Sequence, residues 1–219
     1  MGQAEKPRRP LLETAEFLRE HRSWRPDWAM DRTLLWWYLT FERESALESL
    51  MAEIDPILGT RESVDPVPVR WLHLTLEEVG PPEEVTAASK RSLLDEAADR
   101  TADIAPLRVS LGPVSTTRDA VVLQAGPATA LSALRQRLAA VTASVLGRRR
   151  ENHDAACFRP HVTVGYVNRE CERTGVVHGL DESVPDLPRE VVVPEVTLAA
   201  VTRRNGFYEW RPEGSVAFR

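Results

Sequence analysis

The apolar positions of this chain follow two periods, two and about three and a half, in a repeating order. Thr33 to Phe41 (TLLWWYLTF) is predicted to be a strand, with Leu35, Trp37, Leu39 and Phe41 on one face and Trp36, Tyr38 and Thr40 on the other. Arg43 to Leu58 carries Leu47, Leu50, Met51, Ile54 and Leu58 at helical spacing. Gly59 to Pro68 reads as a loop, and Val69 to Glu77 (VRWLHLTLE) alternates as a strand. Pro81, Pro82, Glu83 and Glu84 open a predicted helix running to about Arg100, since proline suits a first turn and acids suit the positive dipole end. Ala105 to Leu111 is a predicted strand, ended by Gly112-Pro113.

The order then recurs. Ala120 to Ala125 reads as a strand, Pro127 to Leu146 as a helix faced by Leu131, Leu134, Leu138, Val141 and Val145, and Arg159 to Val167 as a second alternating strand. Gly147 and the run Arg148 to Arg150 end the helix. Val191 to Arg204 is a predicted strand, turned by Asn205-Gly206 into Phe207 to Arg211. Equivalent strands begin at Thr33 and Ala120, 87 positions apart, and equivalent histidines stand at 73 and 161, 88 apart. This is an internal duplication, with pseudo-repeats at about 33–113 and 119–211 inside a domain of residues 33–219. Residues 1–32 precede it as an N-terminal helical arm: Leu11 to Arg22 has Leu11, Ala15 and Leu18 on one side, and the stretch with Trp24, Pro26 and Trp28 is expected to lie on the body.

Composition narrows the class. The chain has 219 residues, 42% hydrophobic and 28% charged, which suits a globular protein with a real core. The longest apolar runs are far short of a membrane span, which takes about 20 residues, so a soluble, cytoplasmic protein is expected. The net charge of −5 argues against a long nucleic-acid tracking surface, while leaving room for one phosphate in a local basic pocket. Cys157 and Cys171 lack CxxC spacing and read as bystander thiols.

The chemistry concentrates in His73-Leu74-Thr75-Leu76 and His161-Val162-Thr163-Val164. In a chain with five histidines, chance supplies roughly 0.05 such tetrapeptides, so a pair at equivalent points of a duplication is a signal. In each, His and Thr share one strand face while the apolar residues point into the core. One imidazole can take a proton while the other gives one, and each threonine hydroxyl can hold a non-bridging phosphate oxygen. That chemistry requires no metal and no cofactor.

With WLHLTLEEVG (71–80) and FRPHVTVGYV (158–167), the chain resembles the 2H phosphoesterase superfamily, and within it the 2′-5′ RNA ligase-like (LigT-like) group that includes RNA 2′,3′-cyclic phosphodiesterases. WRPDW (24–28), LLWWYLTF and RRNGFYEW (203–210) resemble an actinobacterial version. The resemblance implies a duplicated, bilobed α+β fold: two antiparallel sheets, helices packed outside, and a central cleft carrying both HxTx motifs. It implies His73 and Thr75 from one lobe and His161 and Thr163 from the other as catalytic residues, His161 as base and His73 as acid. The expected activity is metal-independent hydrolysis of a 2′,3′-cyclic phosphate on an RNA end or small nucleotide, by a monomer. The alternatives are 2′-5′ ligase or phosphodiesterase activity, or a nucleotide- or RNA-end-binding module without turnover.

Around these four, Arg159 shares the face of His161 and is a candidate phosphate contact. Trp36 and Tyr38 are candidate base-stacking residues, and Arg203, Arg204 and Tyr208 flank the Asn-Gly turn and could reach the cleft mouth. Tyr166 falls on the opposite face unless a bulge near Gly165 intervenes. His21, His153 and His178 have no motif around them.

Overall fold

The computed structural model describes residues 16–21, 29, 31–41, 45–147, 158–178, 180 and 188–219. Along the chain these form β1 (Phe17–Leu18), β2 (Thr33–Thr40), α1 (Ser45–Gly59), β3 (Val64–Pro66), β4 (His73–Gly80), α2 (Ala87–Thr101), β5 (Leu107–Thr116) and β6 (Ala120–Gly126). Then follow α3 (Ala128–Leu146), β7 (His161–Val167), β8 (Cys171–Glu172), α4 (Arg173–Val177), β9 (Arg189–Val193), β10 (Glu195–Arg204) and β11 (Phe207–Ala217). Among the described residues no helix is long and apolar enough to cross a membrane.

The alternation seen in β2 settles which way the sheet faces. Leu35, Trp37 and Leu39 are buried in the main core with the whole stripe of α1 and with Leu131, Leu134 and Leu138 of α3. Leu34 and Tyr38 join a smaller cluster on the other side of the sheet with Ala199, Val201 and Trp210. The helices therefore cover one face and leave the other for polar chemistry.

Two antiparallel four-stranded sets, β11-β10-β2-β4 and β7-β6-β5-β9, realise the two expected sheets. They meet edge to edge at a single bridge, Leu74 to Val162, and so make one continuous surface. The repeats exchange strands. β5 lies in the first repeat yet pairs with β6, and β10 lies in the second yet pairs with β2. These exchanged strands begin at 107 and 195, again 88 apart. Only Pro194 separates β9, an outer strand, from β10, one strand in from the other end. The sheet must therefore curl until its two ends converge on that residue.

Several elements differ from the sequence reading. The helix expected over Leu11 to Arg22 is absent where the chain is described: Phe17–Leu18 pairs with Cys171–Glu172, and Leu18 is fully buried. One exposed and one buried residue in succession is a strand signature, and β8 supplies backbone partners that a helix would not use. Val191 to Arg204 is two strands because Pro194 cannot continue a ladder. Conversely, Gly112-Pro113 does not end β5. The ladder resumes with a register shift between Leu111 and Val114, and Gly112, at φ 126°, takes a conformation that glycine alone accepts easily. Residues 82–84 form a short 3₁₀ turn, and α2 starts later, where Thr86 caps it by accepting from the Ser89 amide at 3.1 Å. The predicted loop before Pro68 contains β3, a short strand on β7. Asn205-Gly206 turns as expected, both residues at positive φ (53° and 84°). Trp24, Pro26, Trp28, Arg148 to Arg150, His153 and Cys157 lie outside the described residues.

Candidate active site

His73 and Thr75 on β4, and His161 and Thr163 on β7, stand on the open face of two strands that touch. Leu74 and Val162, the bridge residues between them, point the other way into the core with no exposure. Continuing that register by one residue each way sets His73 across from Thr163 and Thr75 across from His161. The imidazoles then lie on a diagonal that in a regular antiparallel pair measures about 7–8 Å. Each ring is oriented in the same manner. His73 Nδ1–H donates to the Trp71 carbonyl at 2.7 Å, and His161 Nδ1–H donates to the Arg159 carbonyl at 2.8 Å. Both rings therefore keep Nε2 for proton transfer to or from a ligand.

The two threonines are each followed by a bulge. Against β2, Thr75 pairs with Tyr38 and Glu77 with Trp37, so Leu76 is skipped. Against β6, Thr163 pairs with Val122 and Gly165 with Val121, so Val164 is skipped. An extra residue reverses the faces beyond it. Tyr166 thereby returns to the face of Thr163, by the route the sequence left open. Glu77, which strict alternation would put beside Thr75, turns inward instead. The close approach of β3 sets the second bulge's neighbourhood: a Cβ on Gly165 would meet Val64 Cγ1 at 2.7 Å and Leu58 Cδ1 at 3.2 Å.

The bulge carbonyls are held by different donors. Arg135 of α3, buried, gives Nε–H to the Leu76 carbonyl at 2.9 Å. The same guanidinium pairs with the buried Glu77 carboxylate at 3.3 Å and lies over the Phe158 ring at 4.8 Å. The Val164 carbonyl accepts from the Val67 backbone amide at 2.9 Å. Sequence reasoning passed over Arg135, although an arginine inside the apolar stripe of a helix, between Leu131 and Leu138, is itself a sign of a buried partner.

The surroundings of the two histidines differ. His73 is buried and stacks on Tyr38, with ring centroids 4.1 Å apart and planes at 10°. Burial pushes it down to about 4; the Trp71 carbonyl opposes that shift, and the nearby His161 adds to it. His161 is half-buried. Burial also lowers it, while the Arg159 carbonyl and the negative charge of Asp119 pull it back up. Asp119, ahead of β6, was missed by sequence reasoning and carries no local signature.

The remaining candidates separate on inspection. Tyr38 is buried against His73 and offers no open platform for a base, whereas Trp36 on the same face of β2 is half-buried. Arg159 is exposed, and with His161, Gln124, Ser115 and Thr116 it lines a cavity of about 320 Å³. Arg203 is buried, its guanidinium donating to the His21 carbonyl at 3.4 Å. Arg204 points away and pairs with Asp31 at 2.8 Å. Tyr208 packs edge-on to Tyr166 and His21, at 5.7 and 5.3 Å. His178 is exposed at the end of α4, where its carbonyl accepts from Arg61 at 2.7 Å, and Cys171 is a half-buried free thiol on β8.

Comparison with known proteins bears on the family and the fold. A family model described as the 2′-5′ RNA ligase superfamily matches residues 43–204. Among solved structures, TT0787 of Thermus thermophilus superposes with a TM-score of 0.64 at 21% identity, over 85% of this chain and 98% of that one. E. coli LigT complexed with 3′-AMP superposes with a TM-score of 0.58 at 20% identity, over 86% and 98%. LigT complexed with ATP gives 0.55 at 21%, over 85% and 98%. No curated protein sequence matches.

Proposed function

The chain belongs to the 2′-5′ RNA ligase superfamily, and from that premise we propose that it hydrolyses 2′,3′-cyclic phosphates on nucleotides or RNA ends by two-histidine acid–base catalysis. One observation carries the reading. The two His-Thr pairs share one open face, and each imidazole is anchored through Nδ1 so that its Nε2 remains for the reaction. The nucleotide complexes of LigT, with 3′-AMP and ATP, support a ligand of this class. A nucleoside 3′-phosphate is one of the two products that opening a 2′,3′-cyclic phosphate can yield.

In the reaction, His161 Nε2 takes a proton from water as the water oxygen attacks phosphorus. The bond from phosphorus to one ribose oxygen breaks, and His73 protonates that oxygen as it leaves. Thr75 and Thr163 donate to the non-bridging oxygens, where charge grows. Asp119 suits His161 to the base role: the ring is held neutral at rest, and the carboxylate offsets the imidazolium that proton uptake creates. His73, buried and depressed to about 4, gains its working proton when the phosphate's negative charge arrives beside it. Trp36 is the aromatic surface open to a base, and Arg159 the cation placed to meet a phosphate.

The test is turnover of 2′,3′-cyclic nucleotides in EDTA, with His73→Ala and His161→Ala as controls. Hydrolysis lost in both variants is the expected result. A nucleotide bound tightly but never turned over would instead make the chain a binding module. The family description favours one further reading, the same chemistry with a ribose 5′-hydroxyl in place of water. Joining of RNA ends to a 2′-5′ linkage in the same assay would establish it.

A further inference from the structure

His21 lies outside both the duplicated region and the stretch matched by the family, yet it is buried against Tyr166, which shares the face of Thr163. The segment around it is held firmly. Leu18 is fully buried, the Arg19 amide donates to the Arg118 carbonyl at 2.9 Å, and the Arg173 amide donates to the Glu16 carbonyl at 2.9 Å. This delivers the His21 ring beside Asp119, with Nδ1–H donating to Oδ2 at 2.6 Å. The ring stacks on Tyr166 at 4.2 Å and meets Tyr208 edge-on at 5.3 Å. Its side chain is only 9% exposed, and among the described residues Nε2 is buried with no hydrogen-bond partner.

The groups that His21 touches are the ones that reach the reacting residues. Asp119 holds its negative charge within electrostatic range of His161, and the bulge at Val164 puts Tyr166 on the strand face of Thr163. Asp119 is also fixed by Thr117, whose hydroxyl donates to Oδ1 at 3.1 Å. The charged and titratable groups packed around His21 are thus Asp119, Tyr166, Tyr208 and Arg203, the last donating to its carbonyl.

We infer that His21 is a positioning residue of the catalytic face: it fixes the Asp119 carboxylate within electrostatic range of His161 and, through its ring stack, the Tyr166 side chain on the face of Thr163. The segment ahead of the first repeat is then part of the enzyme's machinery.

The inference rests on the two-histidine reading, so its test has one arm that needs no substrate. Histidine titrations followed by NMR in the full chain, with the His161 signal assigned by its loss in His161→Ala, compare wild type with Asp119→Asn, His21→Gln and His21→Leu. Asp119→Asn removes the charge that favours imidazolium, so the His161 midpoint is expected to fall by about half a unit or more. His21→Leu should shift it in the same direction by less. His21→Gln, which retains a donor for Asp119, should stay near wild type. In the second arm, turnover of a 2′,3′-cyclic nucleotide should drop about 10–100-fold in His21→Leu with KM within threefold, and His21→Gln should recover much of it. An unmoved His161 midpoint in folded Asp119→Asn and His21→Leu overturns the inference, whatever the substrate proves to be. So does loss of folding in both His21→Gln and Asp119→Asn, which would make the pair a framework contact. A shifted midpoint in a protein that turns over no cyclic nucleotide supports the positioning role and refutes the proposed substrate.

Discussion

The strands β4 and β7 carry the same device in different settings. Both place His and Thr on the open face, both tie Nδ1 to the carbonyl two residues earlier, and both bulge at the residue after the threonine. Across from Thr75 stands Tyr38, and across from Thr163 stands Val122. Three residues beyond each threonine the first strand has Glu78 and the second has Tyr166. His73 is buried under an aromatic ring, while His161 is half-buried within the field of Asp119. The two imidazoles stand at matching positions of their strands, and the residues around them make the pair unequal. The reaction proposed above needs one ring protonated and the other neutral; both are held below the ordinary value in the free protein, so a bound phosphate must supply the charge that protonates His73.

Removing either ring should break the comparison outright. His73→Ala and His161→Ala are each expected to lower turnover by about 10²–10⁴-fold, and the double variant to be little worse than either, since residues acting as a unit are not additive. A substrate whose leaving group needs no proton should rescue the variant lacking the acid, His73→Ala, and not His161→Ala. Steady-state kinetics with natural-type and activated esters checks both outcomes, and the opposite rescue would exchange the roles.

The bulges differ in what holds them, which gives a second way to separate the halves. The Val164 carbonyl is held by a backbone amide that side-chain truncation leaves in place, whereas the Leu76 carbonyl depends on the Arg135 side chain. Arg135→Ala also strands the buried Glu77 carboxylate, so it should destabilise the fold by about 3–5 kcal/mol. Adding Glu77→Ala should recover part of that loss. Chemical denaturation of the single and double variants measures both, and a single variant within about 0.5 kcal/mol of wild type would show that the pair is not strained by losing its cation.

The smallest expected effect concerns pH. The folded chain holds His73 near 4, below its ordinary value of 6.5. Between those values the unfolded chain binds the extra proton, so stability falls as pH is lowered from about 6.5 towards 4, by at most about 3 kcal/mol for this ring. His73→Gln should flatten that slope more than His161→Gln does, because only His161 has a carboxylate offsetting its burial. Denaturant midpoints between pH 4 and 7.5 read the difference directly. Equal slopes in the two variants would make the two sites electrostatically alike.

Sequence by itself determined what depends on neighbours along the chain. Alternation put Trp37 under the helices and Trp36 on the open face, the apolar stripe of α1 was legible in full, Asn205-Gly206 declared its turn, and the matching tetrapeptides marked His73 and His161 as strand residues. The HxT motifs were legible because a period of two needs only four residues to show which side chains share a face. Tertiary structure alone decided the rest. The bulges at Leu76 and Val164 are set by pairing with β2 and β6, and a one-residue shift then moved Glu77 inward and Tyr166 outward. The exchange of β5 and β10 between the repeats, the contact of Arg203 with the His21 carbonyl and the meeting of His21 with Asp119, 98 positions away, arise only when distant segments come to share space. Local patterning constrains which face a residue takes, but the partner it finds there depends on how the whole sheet curls.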